Sequence, residues 1–260
     1  MTILPGQPAL RIASVGPEVG NWQRFLNEQG VRDKDGRVLV VDEAFGPRTA
    51  YATATLQAKL SLTSDAIVGP KTRAATVPLG FIEFVQARSC TVLWPSTTRE
   101  ITLIVIHTME CLETPDAAEN VALWFAGKTK YEAPKASAHY NVDVDSIVQC
   151  VRDTDMAWHA KRANTRSIGV EHAGFARQMP TDWSDPYSSR MLERSAVLVA
   201  KLAREHRIPI VRLNADEVRS NLPGICGHID VTNAYDQGLG HWDPGPSYSW
   251  ERYLELVRRA

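Results

Sequence analysis

The chain predicts an α/β domain with a mixed sheet, preceded by a small three-helix bundle. Three observations lead there. Between residues 16 and 78 the apolar residues recur at helical spacing around a near-repeat, FGPRTA (45–50) and VGPKTRAA (68–75). From residue 100 onwards, short β-branched runs alternate with amphipathic helical stretches, the pattern of α/β domains. A composition shift separates the two, giving expected boundaries of 1–80 for the bundle, 81–98 for a linker and 99–260 for the larger domain.

Composition narrows the function classes. With 260 residues there is ample core for this arrangement, and 44% hydrophobic with 23% charged residues is ordinary for a globular protein. A formal net charge of −1 offers no electrostatic footprint for nucleic acid. No apolar run approaches the roughly 20 residues that span a bilayer. The opening MTILPGQPALRIASVG lacks a basic segment followed by an apolar core, so no secretory signal is expected. Cys90, Cys111, Cys150 and Cys226 are widely spaced and form no CxxC pair, which suggests free thiols from a reducing compartment.

In the bundle, Val19, Trp22, Phe25 and Leu26 share one helical face and Gly30 stops it. Asp33 and Asp35 before Gly36 read as a solvated turn, because the other ligand positions of a calcium loop are missing. Each Gly-Pro of the near-repeat starts a helix, since proline at the first helical position loses no hydrogen bond. Ala52, Leu56 and Leu60 continue the apolar face between them. Residues 79–97, running into Trp94-Pro95-Ser96-Thr97-Thr98, read as linker and entry to the next domain.

In the larger domain, ITLIVIHTM (101–109) is a continuous apolar run expected as a buried central strand. Thr114-Pro115 opens a helix through Val121, Leu123, Trp124 and Phe125, with Gly127 as its stop. SAHYNVDVDSIVQCV (137–151) reads as a hairpin turning near Asp145-Ser146, with Asp143 and Asp145 as turn residues. His139 is a candidate cleft residue, although alternation does not fix its side. DMAWHAK (155–161) places Trp158 and His159 in a loop suited to sugar or peptide contact. SIGVEHAGF (167–175) is a strand in which Glu171 is a candidate general base, because burying a carboxylate is costly unless it is paired or functional. His172 then points to the opposite face. Residues 188–207 form an amphipathic helix, IVRLN (210–214) a strand, and a last helix after Ser249 buries Trp250, Tyr253, Leu254 and Val257.

The stretch from Gly227 to Trp250, GHIDVTNAYDQGLGHWDPGPSYSW, concentrates metal-binding side chains. Neutral imidazole and carboxylate both bind zinc, and a catalytic zinc takes three protein ligands with one position left for water. His228 and Asp243 are the first candidates and lack a third. His107, at the C-terminal end of its strand, is the leading addition, since α/β sheets present site residues there. Cys226, two residues before His228, is a weaker rival.

Two resemblances rest on these residues. The order Trp22-Gln23-x-x-Leu26, Gly30, Asp42-x-x-Phe45-Gly46-x-x-Thr49, Leu56-Gln57 and Asp65-x-Ile67-Val68-Gly69-Pro70-x-Thr72 resembles the peptidoglycan-binding domain 1 family, a three-helix module that holds enzymes on the bacterial wall. Ala44 and Ala66 stand where that family has glycines after the acidic residues. Residues 100 to 250 are similar to the zinc-dependent N-acetylmuramoyl-L-alanine amidases of the type-2 amidase and peptidoglycan recognition protein superfamily, through IVIH (104–107), SAHY (137–140), AWHA (157–160), SIGVE (167–171), GHIDV (227–231) and WDPGPSYSW (242–250). That resemblance implies zinc on His107, His228 and Asp243 and catalytic assistance from Glu171; Thr108, His139, Trp158 and His159 are candidate substrate contacts. The amidases often carry lysine two residues before the third ligand, to steady the developing oxyanion; here it is His241. A histidine donates the same hydrogen bond, most strongly when protonated, or lines the cleft.

The implied activity is hydrolysis of the amide between N-acetylmuramic acid and L-alanine, with peptidoglycan as partner and a monomer as the expected state. A wall-binding module ahead of an amidase, made in the cytoplasm without a signal, suits a phage endolysin that reaches the wall after release. An injected antibacterial effector or a bacterial wall-remodelling amidase has the same outline. A non-catalytic peptidoglycan-binding protein is the alternative of another class, and such proteins usually lack one of the three ligands.

Overall fold

A computed structural model describes residues 9–76, 79–93, 99–236 and 240–260. The Trp94–Thr98 stretch read as linker lies outside them. The chain divides into two compact units, Met1–Phe84 and Val85–Ala260.

In the first unit, α1 (Pro17–Glu28), α2 (Pro47–Lys59) and α3 (Pro70–Thr76) pack around Trp22, Leu26, Phe45, Leu56 and Val68. Two glutamines tie the helices to the near-repeat. The Gln23 side-chain amide donates to Asp42 Oδ1 (2.7 Å), the Ala44 carbonyl (3.0 Å) and Thr49 Oγ1 (3.1 Å). Gln57 donates to Asp65 Oδ1 (2.8 Å), the Ile67 carbonyl (3.0 Å) and Thr72 Oγ1 (3.0 Å). The near-repeat is therefore a repeated structure: a turn preceding each Gly-Pro helix start is closed by a buried amide from the helix before it.

The left-handed residues of these turns are Glu43 (φ +60°) and Ala66 (φ +59°). Ala66 thus adopts the conformation that favours glycine. In the first copy that residue is Glu43 rather than the expected Ala44, whose backbone instead bridges to Val15. Asp33 also departs from the solvated turn expected. It is buried, and its Oδ1 accepts from the Asp35 (2.9 Å) and Arg37 (2.8 Å) amides.

The 81–98 linker is not a free connector over its described part. Phe81 packs edge-on against Trp22 with ring centroids 5.2 Å apart, and β1 (Glu83–Phe84) ends the first unit. Val85 and Ala87 are buried, and their amides donate to Gln149 and Cys150 carbonyls at 2.9 Å. Aromatic and β-branched side chains in this stretch find apolar partners, which a solvated linker lacks.

In the second unit, β2 (Cys90–Thr91) pairs antiparallel with β6 (Met156–Ala157). The main sheet of this unit runs in the order β5 (Ile147–Gln149), β4 (Tyr140–Val142), β7 (Ser167–His172), β3 (Leu103–Thr108), β8 (Gly224–Gly227). β4 and β5 form the expected antiparallel hairpin, whereas β4, β7, β3 and β8 are mutually parallel. β3 is buried along its whole length, as its β-branched run requires.

Helix α4 spans Ala117–Phe125, starting three residues after Thr114. α5 (Pro186–His206) and α8 (Trp250–Arg259) pack together, burying Met191, Leu192, Leu198, Tyr253 and Leu254. α6 (Ala215–Arg219) and α7 (His228–Tyr235) flank the β8 side. The strand expected over 210–214 is only an isolated bridge between Arg212 and Ile225, and the true strand is β8. Its GICG sequence carries almost no strand signal, but Gly224 and Gly227 admit close neighbours. A Cβ on Gly227 would lie 2.7 Å from Pro244 Cδ, and one on Gly224 2.7 Å from Leu213 Cγ.

Exchanging residues at left-handed positions tests the turn geometry of the first unit. An L-residue there costs roughly 1–2 kcal/mol, partly offset by the extra freedom glycine brings to the unfolded chain. Ala66→Gly is expected to stabilise the unit by about 0.5–1 kcal/mol, and Gly30→Ala (φ +67°) to destabilise it, both read from urea unfolding of the full chain. The opposite pair of signs would contradict the assigned backbone.

Candidate metal centre and cleft

The parallel register places the site. His107 faces Glu171 across the β3–β7 pair, and Ile106 faces Gly227 across β3–β8, so His228 follows directly at the end of β8. Three adjacent strands thus present one polar side chain each at their C-terminal ends, where α/β sheets bind ligands. Asp243 arrives from the following loop, and its carbonyl accepts from the Ile229 amide (2.9 Å), fastening that loop to the first turn of α7.

His107, His228 and Asp243 are all buried, and one donor atom of each lies within 4.8 Å of the others. His107 Nδ1 is 3.0 Å from Asp243 Oδ2, and His228 Nδ1 is 3.3 Å from Asp243 Oδ1. Burial opposes ionisation of Asp243, but the adjoining His107 and His228 rings outweigh it and hold the carboxyl well below the usual range. Burial pushes the His228 ring towards its neutral form, against the pull of Asp243. Two nitrogens and a carboxylate, with no fourth member in the group among the described residues, fit a divalent metal with an open position. Cys226 does not join them. It is packed with Leu103 and Val105 in an apolar cluster, where burial raises its thiol.

Glu171 borders the same cleft, and its Oε2 is buried without a hydrogen-bond partner. Burial raises its pKa well above the ordinary value, reinforced by the charges of Asp243 and Glu110. His241 is two-thirds exposed, and its ring stacks on His228 with centroids 4.4 Å apart. Its Nδ1 is 3.6 Å from Asp243 Oδ1.

The cleft holds about 560 Å³ and is bordered by Trp124 and Phe125 of α4 and by Trp158, Lys135 and Lys161. Thr108, Trp158 and His159 line it. The polar atoms of His159 are not free, because Nδ1 contacts His107 and Nε2 contacts Ser167, each at 3.0 Å. His139 is misplaced by the sequence reading. It is fully buried behind His159, its Nδ1 accepts from the Gly169 amide (3.0 Å), and it is not part of the cleft. Trp124, Lys135, Lys161 and Glu110 were not anticipated. Glu110 closes the strand end by accepting from Thr108 Oγ1 and the Ala176 amide, each at 2.7 Å. Its position three residues after His107 is the only sequence signal it offers.

The family described as N-acetylmuramoyl-L-alanine amidase matches residues 97–246. N-acetylmuramoyl-L-alanine amidase A of Achromobacter lyticus is 25% identical, over 63% of this chain and 87% of the relative. Among solved structures, a selenomethionine derivative of AmpD has a TM-score of 0.48 at 22% identity, covering 68% of this chain and 94% of that one. Staphylococcus aureus hydrolase AmiA, in complex with its ligand, has a TM-score of 0.46 at 18% identity, covering 73% and 89%.

The buried histidine behind the cleft makes stability depend on pH. Burial, and secondarily the Arg99 charge, push the His139 pKa down to about 3, against roughly 6.5 when unfolded. Between those values the unfolded chain binds more protons, so this contribution is complete above pH 6.5 and is lost as pH falls towards 3. The urea midpoint of the second unit is expected to drop between pH 7 and pH 5, and less so in His139→Gln. An equal drop in both would remove His139 as a source of the effect.

Proposed function

The chain belongs to the N-acetylmuramoyl-L-alanine amidase family, and from that membership we propose that it hydrolyses the amide joining the lactyl group of N-acetylmuramic acid to the L-alanine of the peptidoglycan stem peptide, with zinc held by His107, His228 and Asp243. The convergence of those three donors on the cleft floor carries the reading. Zinc in that position supplies a Lewis acid that brings the pKa of water towards about 7 and polarises a carbonyl.

The chain's own residues do the rest. Glu171, on the border of the cleft, accepts the proton of the attacking water and returns it to the departing nitrogen. General acid–base transfer of this kind is worth roughly 10²–10⁴ in rate. His241 offers an imidazole N–H to the carbonyl oxygen as it gains charge, and losing one such donor costs about 2.7–4 kcal/mol. Trp124 and Trp158 border the cleft, each partly exposed, and aromatic rings there suit sugar contact.

The three-helix unit, with its two glutamine-closed turns, serves as the wall-binding module that its motifs resemble. A wall-anchored amidase of this outline suits a monomeric phage endolysin, which reaches the wall after release from the cytoplasm. Among the described residues no helix is long and apolar enough to cross a membrane.

Digestion of purified peptidoglycan by the full chain is expected to expose new alanine amino groups without new reducing sugar ends. New reducing ends would mark a glycosidase and overturn the reading. Glu171→Gln is expected to retain zinc while turnover falls about 10²–10⁴-fold, and His107→Ala to lose the metal. Muropeptide hydrolysis by Glu171→Gln at the original rate would remove Glu171 as the base.

A further inference from the structure

His107 has a polar neighbour on each side, Asp243 Oδ2 at 3.0 Å from Nδ1 and His159 Nδ1 at 3.0 Å from Nε2. A neutral imidazole carries one proton, and its position decides which nitrogen can bind a cation. The contacts beyond His159 determine that position. The Ala163 carbonyl can only accept, so the Ser167 hydroxyl, 2.7 Å away, donates to it. With its proton committed there, Ser167 Oγ accepts from His159 Nε2 at 3.0 Å. His159 is then protonated at Nε2, and its Nδ1 lone pair accepts the Nε2–H of His107. His107 Nδ1 is left bare and turned to Asp243. The reverse arrangement would leave two oxygens 2.7 Å apart, at Ser167 and Ala163, with no proton between them.

We infer that His159 and Ser167 are positioning residues, forming with the Ala163 carbonyl a directional relay that holds His107 in the tautomer offering Nδ1 to the metal. The inference rests on the metal centre proposed above. The surroundings are built for this ring. Gly169 has no side chain where His159 lies, and a Cβ there would sit 2.6 Å from its Nδ1. Asn164 Oδ1 accepts the amides of His159 (3.1 Å) and Ala160 (2.6 Å), fixing the backbone that carries the ring. An imidazole ligand whose other nitrogen donates to a fixed acceptor is oriented and made more basic, and losing such a partner typically costs 10–100-fold in metal affinity.

The test uses the full chain in two measurements. In the zinc-loaded protein labelled with ¹⁵N-histidine, long-range ¹H–¹⁵N correlations are expected to show His159 protonated at Nε2, and His107 protonated at Nε2 with the metal on Nδ1. Competition with a chromophoric chelator is expected to show about 10–100-fold weaker zinc binding in Ser167→Ala, restored by Ser167→Thr. A His159 protonated at Nδ1, or Ser167→Ala binding zinc as tightly as the parent, would overturn the relay while leaving the metal centre intact. A parent protein that binds no zinc would overturn the metal centre and the relay with it. Should Ser167→Ala fail to fold, the correlations on the parent protein decide alone.

Discussion

A carboxylate buried against two imidazole nitrogens is the constraint on which the second unit depends. Isolating a charged carboxylate from water costs several kcal/mol, and neutral rings supply only hydrogen bonds in return. The ring nitrogens of His107 and His228 nevertheless stand 3.0 and 3.3 Å from the two oxygens of Asp243. A bare imidazole lone pair 3.0 Å from a carboxylate oxygen is repulsive unless positive charge lies beside it. A divalent cation would satisfy all three donors at once, which is why the arrangement supports the metal centre proposed above.

The architecture brings these donors together from far apart in the chain. Parallel pairing of β7, β3 and β8 sets their C-terminal ends side by side, so Glu171, His107 and His228 need no long side-chain reach. The fourth contributor comes with its own anchor. The segment carrying Asp243 continues into Tyr248 and Tyr253, which lie under the sheet. His172 bonds Ser195 Oγ (2.6 Å) and the Tyr248 hydroxyl (3.2 Å), and Ser195 Oγ in turn contacts the Tyr253 hydroxyl (2.7 Å). β7 therefore offers Glu171 to the cleft with one face and grips the Asp243 segment with the other. Movement of that segment would disturb both Asp243 and Glu171.

Much of this was legible because the relevant signals are local. The β-branched run of β3 announced a buried strand with His107 at its end, and strict alternation separated Glu171 from His172. The turn acids Asp143 and Asp145 also read correctly, since Asp143 accepts amides from Asp145 and Ser146. What failed depended on packing. GICG is too short and glycine-rich to announce β8, whose place is set by Leu213 and Pro244 filling the space its glycines leave. Alternation could not say which side of β4 faces the cleft, and His139 went to the interior. The shift from Ala44 to Glu43 turns on one residue of backbone path. That both nitrogens of His159 are engaged, by His107 and Ser167, is likewise visible only in the fold.

X-ray absorption at the zinc edge of the purified full chain tests the central claim most directly. The account predicts a first shell of nitrogen and oxygen only, at about 2.0–2.2 Å, with the scattering pattern of two imidazoles. A sulfur neighbour near about 2.3 Å, as a cysteine ligand gives, or a shell of four imidazoles would contradict it.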